Sequence, residues 1–166
     1  LKNPFAVTVV NRKAYVLGQE GVVELSLPLD QIGRMAIEAT EQWQGPRLIG
    51  SYGTNAYIVD AKQRNIYRYD LEDQGASPSA WLASKEGIDF EKIMSIAVDG
   101  DVWMTTSEGS IHKFTRGDEV PFTVTGLLDP FTSTVLLYTQ KESDYLFVLE
   151  PRQKRFVLLK KSGEFV

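Results

Sequence analysis

Short apolar runs recur along the chain at a nearly fixed interval, each set off by polar turn residues. Val22-Val23-Glu24-Leu25, Ile66-Tyr67-Arg68-Tyr69, Ile111-His112-Lys113-Phe114 and Phe156-Val157-Leu158-Leu159 align without gaps, with starts 44, 45 and 45 residues apart. Each follows a stretch rich in Gly, Asn, Asp, Pro or Ser, at 18–21, 60–65, 107–110 and 150–154, the residue types that tight hairpins require. Before each turn lies a second run: Ala14-Tyr15-Val16-Leu17, Ala56-Tyr57-Ile58-Val59, Val102-Trp103-Met104-Thr105 and Leu146-Phe147-Val148-Leu149. These runs are short, β-branched and aromatic, and read as strands. An aromatic recurs at Tyr15, Tyr57 and Trp103, with Leu146 read into that slot in the fourth copy.

One strand further back, 6–10, 48–52, 94–98 and 135–139 lead into turns at 11–13, 53–55, 99–101 and 140–144. An outer strand is expected at 80–83 and 121–124, and one begins at 163–166. Copy one is less regular. Leu29, Ile32, Met35, Ala36 and Ala39 have partly helical spacing, which leaves a short helix within 29–40 as an alternative to a strand.

Three or four antiparallel strands in a repeat of this length are the signature of a β-propeller blade. One such sheet has two half-apolar faces and buries them only by stacking on its neighbours. The fold class expected is therefore all-β, a single β-propeller segment over 1–166 with blades at 5–46, 47–92, 93–132 and 133–166.

The phrases Ser95-Ile96-Ala97-Val98-Asp99-Gly100-Asp101-Val102-Trp103 and Asp144-Tyr145-Leu146-Phe147-Val148-Leu149, with the strands that follow them, resemble the six-bladed NHL and YWTD repeats. More narrowly, the stretch from Leu48 onward resembles propeller regions appended to bacterial proteins of the protein-phosphatase-like (PP2C, or PPM) type. Leu48-Ile49-Gly50-Ser51-Tyr52-Gly53, Lys113-Phe114-Thr115-Arg116-Gly117 and Leu137-Tyr138-Thr139 carry that match. It implies that phosphatase chemistry would lie in another domain, since nothing here resembles the acidic metal-binding motifs of that family.

Composition narrows the chemistry. Hydrophobic residues make up 43% and charged residues 24%, and the net charge is −4. That is the balance of a globular chain, and it argues against nucleic acid, whose phosphates need a dense basic surface. There is no cysteine, which excludes disulfides and thiolate metal sites. No apolar run approaches the roughly 18 residues a spanning helix needs. The opening Leu1-Lys2-Asn3-Pro4 has neither an initiator Met nor a signal-peptide pattern and reads as an excerpt of a longer chain.

Each candidate site has a structural explanation beside the chemical one. His112, the only histidine, could be a general base or ligand, yet it fills the slot of Val23, Tyr67 and Val157. Asp99 and Asp101 flank Gly100 in what reads as a hairpin turn. Asp70, Glu72 and Asp73 read as a solvated loop. Arg152, Lys154, Arg155, Lys160 and Lys161, against Glu150 and Glu164, form a basic hairpin that could meet an anion or guard a strand edge. Trp43, Trp81, Trp103, Tyr15, Tyr57 and Tyr67 read as inter-blade core. Gly50, Gly53, Gly100, Gly109 and Gly163 are read as turn glycines and do not make a phosphate loop.

No catalytic, cofactor-binding or metal residue is therefore assigned. The expected function is a non-catalytic module that binds a protein or ligand through its loops. A lactonase- or lyase-like enzyme is the first alternative and a structural repeat scaffold the second. The innermost strands carry almost no Asp, Glu or His to serve an enzyme. The segment is not expected to close a propeller by itself. An open arc would expose Val9, Tyr15, Phe147 and Leu158 and favour self-association.

Overall fold

The computed structural model describes residues 1–26, 33–73 and 77–166. The chain forms two compact units, Leu1–Lys85 and Glu86–Val166. Each contains two antiparallel sheets in simple up-and-down order.

In the first unit, one sheet runs β1 (Ala6–Val10), β2 (Lys13–Gly18), β3 (Gly21–Ser26), β4 (Arg34–Glu38). The other runs β5 (Pro46–Tyr52), β6 (Asn55–Asp60), β7 (Asn65–Asp70), β8 (Ser79–Ala80). Asn11 and Arg12 both take left-handed backbone angles, φ 51 and 59, the geometry that lets a two-residue turn follow the twist of its strands. The core between the two sheets holds Tyr15, Leu17, Val22 and Ile37 from one and Ile49, Ala56, Ile58 and Tyr69 from the other.

In the second unit, the third sheet runs β9 (Ile93–Val98), β10 (Val102–Thr106), β11 (Ile111–Thr115), β12 (Asp118–Val120). The fourth runs β13 (Leu136–Tyr138), β14 (Tyr145–Glu150), β15 (Arg155–Lys160). Trp103, at 0% exposure, packs with Ala97 against Val135, Leu137, Leu146, Val148, Val157 and Leu159. Burying each aliphatic side chain of such a core is worth about 1.5–3 kcal/mol.

The outer strands differ from expectation. Residues 34–38 are a strand and not a helix, whereas 29–32 lie outside the described residues. A bulge between Val22 and Val23 shifts the pairing so that Ala36 and Ile37 are both buried. Two adjacent buried positions break the period of two and imitate helical spacing. The strand expected at 80–83 is only Ser79–Ala80, extended by the Trp81 N–H donating to the Ile66 carbonyl at 2.8 Å. The strand expected at 121–124 is instead Asp118–Val120. Pro121 has no N–H to give to a ladder, and the chain leaves the sheet there. Residues 164–166 do fold back on β15: Val166 N–H donates to Leu158 O, and Thr125 pairs in parallel with Glu164.

The aromatic slot also needs correction. It is the third residue before the end of each second strand, which makes it Tyr15, Tyr57, Trp103 and Phe147, not Leu146. Its cross-strand partners are Glu24, Arg68, Lys113 and Leu158. Tyr15 is buried, at 3% exposure, and not on an exposed face, whereas Val9 is 59% exposed.

Candidate functional site

The repeat is tied together by bonds the hydrophobic pattern does not reveal. In three sheets, the residue after the second strand donates its N–H back to the segment entering that sheet. Gln19 donates to Lys2 O (3.3 Å), Ala61 to Gly45 O (2.9 Å) and Ser107 to Lys92 O (2.8 Å). Where the second strand ends in an acid, the carboxylate reinforces this tether. Asp60, 1% exposed, accepts the N–H groups of Gln44, Gly45 and Gln63 at 2.8–3.0 Å.

Glu150, fully buried, accepts Ser133 Oγ at 2.7 Å, the Thr132 N–H at 3.3 Å and Arg155 Nε at 2.7 Å. Burial pushes its carboxyl up, but the Ser133, Arg155 and Thr132 hydrogen bonds outweigh burial and hold it below the ordinary range. Glu24 is a similar hub. It takes a bidentate pair from Arg34 (3.1 and 3.2 Å), Lys13 Nζ at 3.2 Å and the Tyr15 hydroxyl at 3.1 Å. Burial raises the Glu24 carboxyl and these donors lower it further than burial raises it. Burial and the adjacent Glu24 charge push Tyr15 up to about 12.

The candidate residues read from the sequence are dispersed. His112 lies on β11 with Nδ1 2.7 Å from Glu119 Oε1 on β12, and its ring stacks beside Phe114. Asp99 is more than a turn residue. Its side chain is 4% exposed, and it receives the Trp103 indole N–H (3.1 Å), the Asp101 N–H (3.1 Å) and Lys161 Nζ (2.8 Å). Asp101 instead accepts from Thr115 Oγ1 (2.8 Å) and faces Lys113 Nζ (3.0 Å).

Asp70 closes a local turn by accepting the Glu72 N–H at 2.9 Å. Among the described residues no group of three or more His, Cys, Asp or Glu is placed to hold a metal ion. Three cations of the basic hairpin are engaged: Arg155 with Glu150, Lys160 with Glu164, and Lys161 with Asp99. Arg152 and Lys154 are exposed.

The aromatics fill cores and sheet margins. Trp81 meets Tyr57 edge-on at 5.7 Å, the Trp43 indole donates to the Tyr69 hydroxyl, and Tyr67 packs half-buried against the first unit's core. Gly50 is not a turn residue but sits within β5 opposite Tyr57.

The feature that sequence reading missed is a groove in the second unit. After Pro121 the chain leaves β12, and Thr125 exchanges backbone hydrogen bonds with Gly163 and Phe165. Phe122, Val124, Leu127 and Phe131 pack half-buried, with Ile111, against the core of the second unit. They line a cavity of about 330 Å³ together with Gly109, Ser110 and Pro130. Phe122 meets Trp103 edge-on at 5.1 Å, which fixes the groove floor to the core. Gly109 has φ +90, and a Cβ there would lie 2.8 Å from the Phe131 Cβ, so only glycine lets that wall approach. A second opening of about 400 Å³ shares Ile111 and Phe122 and ends at His112 and Glu119. The groove thus sets apolar side chains beside Ser110 and Thr123, and the adjoining opening adds the His112–Glu119 pair. It can hold an apolar side chain or ring and offer that pair a hydrogen bond.

No protein-family model matches the chain, and no curated protein does. Solved structures do. A catalytically inactive virginiamycin B lyase from Staphylococcus aureus with Quinupristin is 13% identical with a TM-score of 0.63, over 100% of this chain and 56% of that one. YCF48 from Cyanidioschyzon merolae is 13% identical with a TM-score of 0.60, over 99% and 55%. A chain of the nidogen/laminin complex is 10% identical with a TM-score of 0.57, over 95% and 75%. The chain spans little more than half the length of the lyase and of YCF48. At these identities the likeness shows the fold alone: the four sheets are blades of a β-propeller-like fold.

Proposed function

We propose that the chain is a non-catalytic binding module, a propeller segment of a larger bacterial protein. It takes an apolar side chain of a partner protein or ligand into the groove of Ile111, Phe122, Leu127 and Phe131. The single observation behind this is that the groove sets five half-buried apolar side chains, Ile111, Phe122, Val124, Leu127 and Phe131, around one open cavity. Recognition on loops over a rigid sheet is the common arrangement. The nidogen/laminin relative belongs to a protein complex, which fits a binding role. The narrower resemblance, to NHL-like repeats and to propeller regions of phosphatase-like proteins, rests on the sequence phrases alone. It suggests that any catalysis of the parent resides outside 1–166.

The lyase relative motivates a second reading, an enzyme. Its natural centre would be His112 with Glu119. That pair lies on β11 and the edge strand β12, and among the described residues it belongs to no group of three or more His, Cys, Asp or Glu placed to hold a metal ion, which is why binding is preferred. Because Phe122 touches Trp103, titration with N-acetyl-leucinamide, which does not fluoresce, reports on the groove through tryptophan emission. Saturable change that is lost in Phe122→Ala supports the proposal. The same response in Phe122→Ala contradicts it.

A further inference from the structure

The outward face of the fourth sheet is apolar and aromatic. Tyr138, Phe147 and Phe156 form a ladder across its three strands, with centroids 6.0 and 6.2 Å apart. Tyr138 is 59% exposed and Phe156 63%. In the first three sheets the slot aromatic stands opposite a charged residue, Glu24, Arg68 or Lys113, whereas Phe147 stands opposite Leu158. This sheet has exchanged its charge for more apolar surface.

The chain itself shows what covers such a face. In the first unit, the face carrying Tyr15 packs on the face of the next sheet that carries Ala56, the residue just before its slot. In the second unit, the face carrying Trp103 packs in the same way on the face that carries Leu146. The polarity is identical. The exposed face of sheet four is a slot face, through Phe147. The exposed face of sheet one is of the receiving kind: Val9 pairs with Ala14, the residue before Tyr15, and Val7 and Val9 are 60% and 59% exposed. The molecule therefore displays both halves of the interface it builds within each unit.

We propose that the slot face of sheet four docks on the receiving face of sheet one in a second copy of the chain, head to tail. One chain carrying both halves of a heterologous contact is the condition for such association. Exposed apolar faces of this kind mark association surfaces. The lyase and YCF48 relatives are close to twice the length of this chain, so two copies supply a comparable number of residues. The internal contact also predicts the register. Thr8, paired with Tyr15, meets Ser51, paired with Ala56, at 2.7 Å between hydroxyls. The corresponding residues are Tyr138, paired with Phe147, and Val9, paired with Ala14.

The chain has no cysteine, so this register can be tested cleanly. Val9→Cys chains mixed with Tyr138→Cys chains and mildly oxidised should give mostly the mixed disulfide dimer. Sedimentation of the unmodified chain should show concentration-dependent assembly, shifted to monomer by Phe156→Lys, an exposed site whose charge leaves the core intact. A monomer at every concentration would overturn the proposal and leave the face to another partner, such as a further blade. Same-face disulfides in preference to mixed ones, or assembly that survives Phe156→Lys, would overturn it equally.

Discussion

Lys161 places its Nζ 2.8 Å from the carboxylate of Asp99, joining the end of the last strand of sheet four to the first hairpin of sheet three. The same carboxylate holds the indole N–H of Trp103, the largest fully buried side chain. Asp99 therefore fixes the orientation of the core aromatic and the spacing of two sheets together. Asp99→Ala should strand both donors and cost about 1–3 kcal/mol, read as a lowered denaturation midpoint with an unchanged slope. A double-mutant cycle with Lys161→Met should return a coupling of at least about 0.5 kcal/mol. Additive losses would show that the pair is incidental.

Glu150 and Glu24 set the acid side of the stability profile. Both carboxyls are held below their ordinary value in the folded state. The unfolded chain therefore binds more protons as acid is added. Their contribution is complete above the ordinary carboxylate value of 4.5 and is lost as pH falls through the lower folded values. Melting temperature should drop between neutral pH and pH 3, and should drop less steeply in Glu150→Gln and Glu24→Gln. An equally steep fall in both variants would contradict this. Glu150→Ala, which abandons the buried Arg155 contact, should cost about 3 kcal/mol.

Tyr15 sets a feature on the alkaline side. Its folded value is about 12 against an ordinary 10.0, so its contribution is present below pH 10 and lost as pH rises toward 12. Burial also raises Tyr57, Tyr67 and Tyr69, so ultraviolet titration should show a late tyrosinate phase that is smaller by one tyrosine in Tyr15→Phe and whose Tyr15 component moves to lower pH in Glu24→Gln. An unchanged late phase in Tyr15→Phe would assign it to another residue.

The groove depends on Gly109. With φ +90 and Phe131 against it, Gly109→Ala should push that wall outward and weaken N-acetyl-leucinamide binding, with a stability loss of about 1–3 kcal/mol. Unaltered binding would mean that Phe131 does not shape the site.

The sheets were legible in the sequence because short β-branched and aromatic runs lie between turn-forming residues at a nearly fixed interval. All four third strands fall where the 44- and 45-residue spacing puts them, and all four second strands fall on the apolar runs before the intervening turns. The outer strands were not legible. A bulge at Val22/Val23 erased the alternation of β4, and Pro121 ended β12 just where the apolar residues begin. Phe122 and Val124 look like a strand because they are apolar, but they face a groove and not a ladder. The buried acids were missed for another reason. Asp60 and Glu150 sit in turn-like text, and their partners are backbone N–H groups 15–18 residues earlier, which no local pattern marks.

In the proposed role the second unit binds through the Ile111–Phe122 groove and does no chemistry there. Amide chemical shifts followed during titration with N-acetyl-phenylalaninamide, with ester and lactone turnover assayed on the same sample, separate binding from catalysis. Shifts centred on Ile111, Phe122, Leu127 and Phe131, abolished by Phe122→Ala and unaccompanied by turnover, are the expected result. Shifts centred elsewhere, or turnover that disappears in His112→Ala, would contradict it.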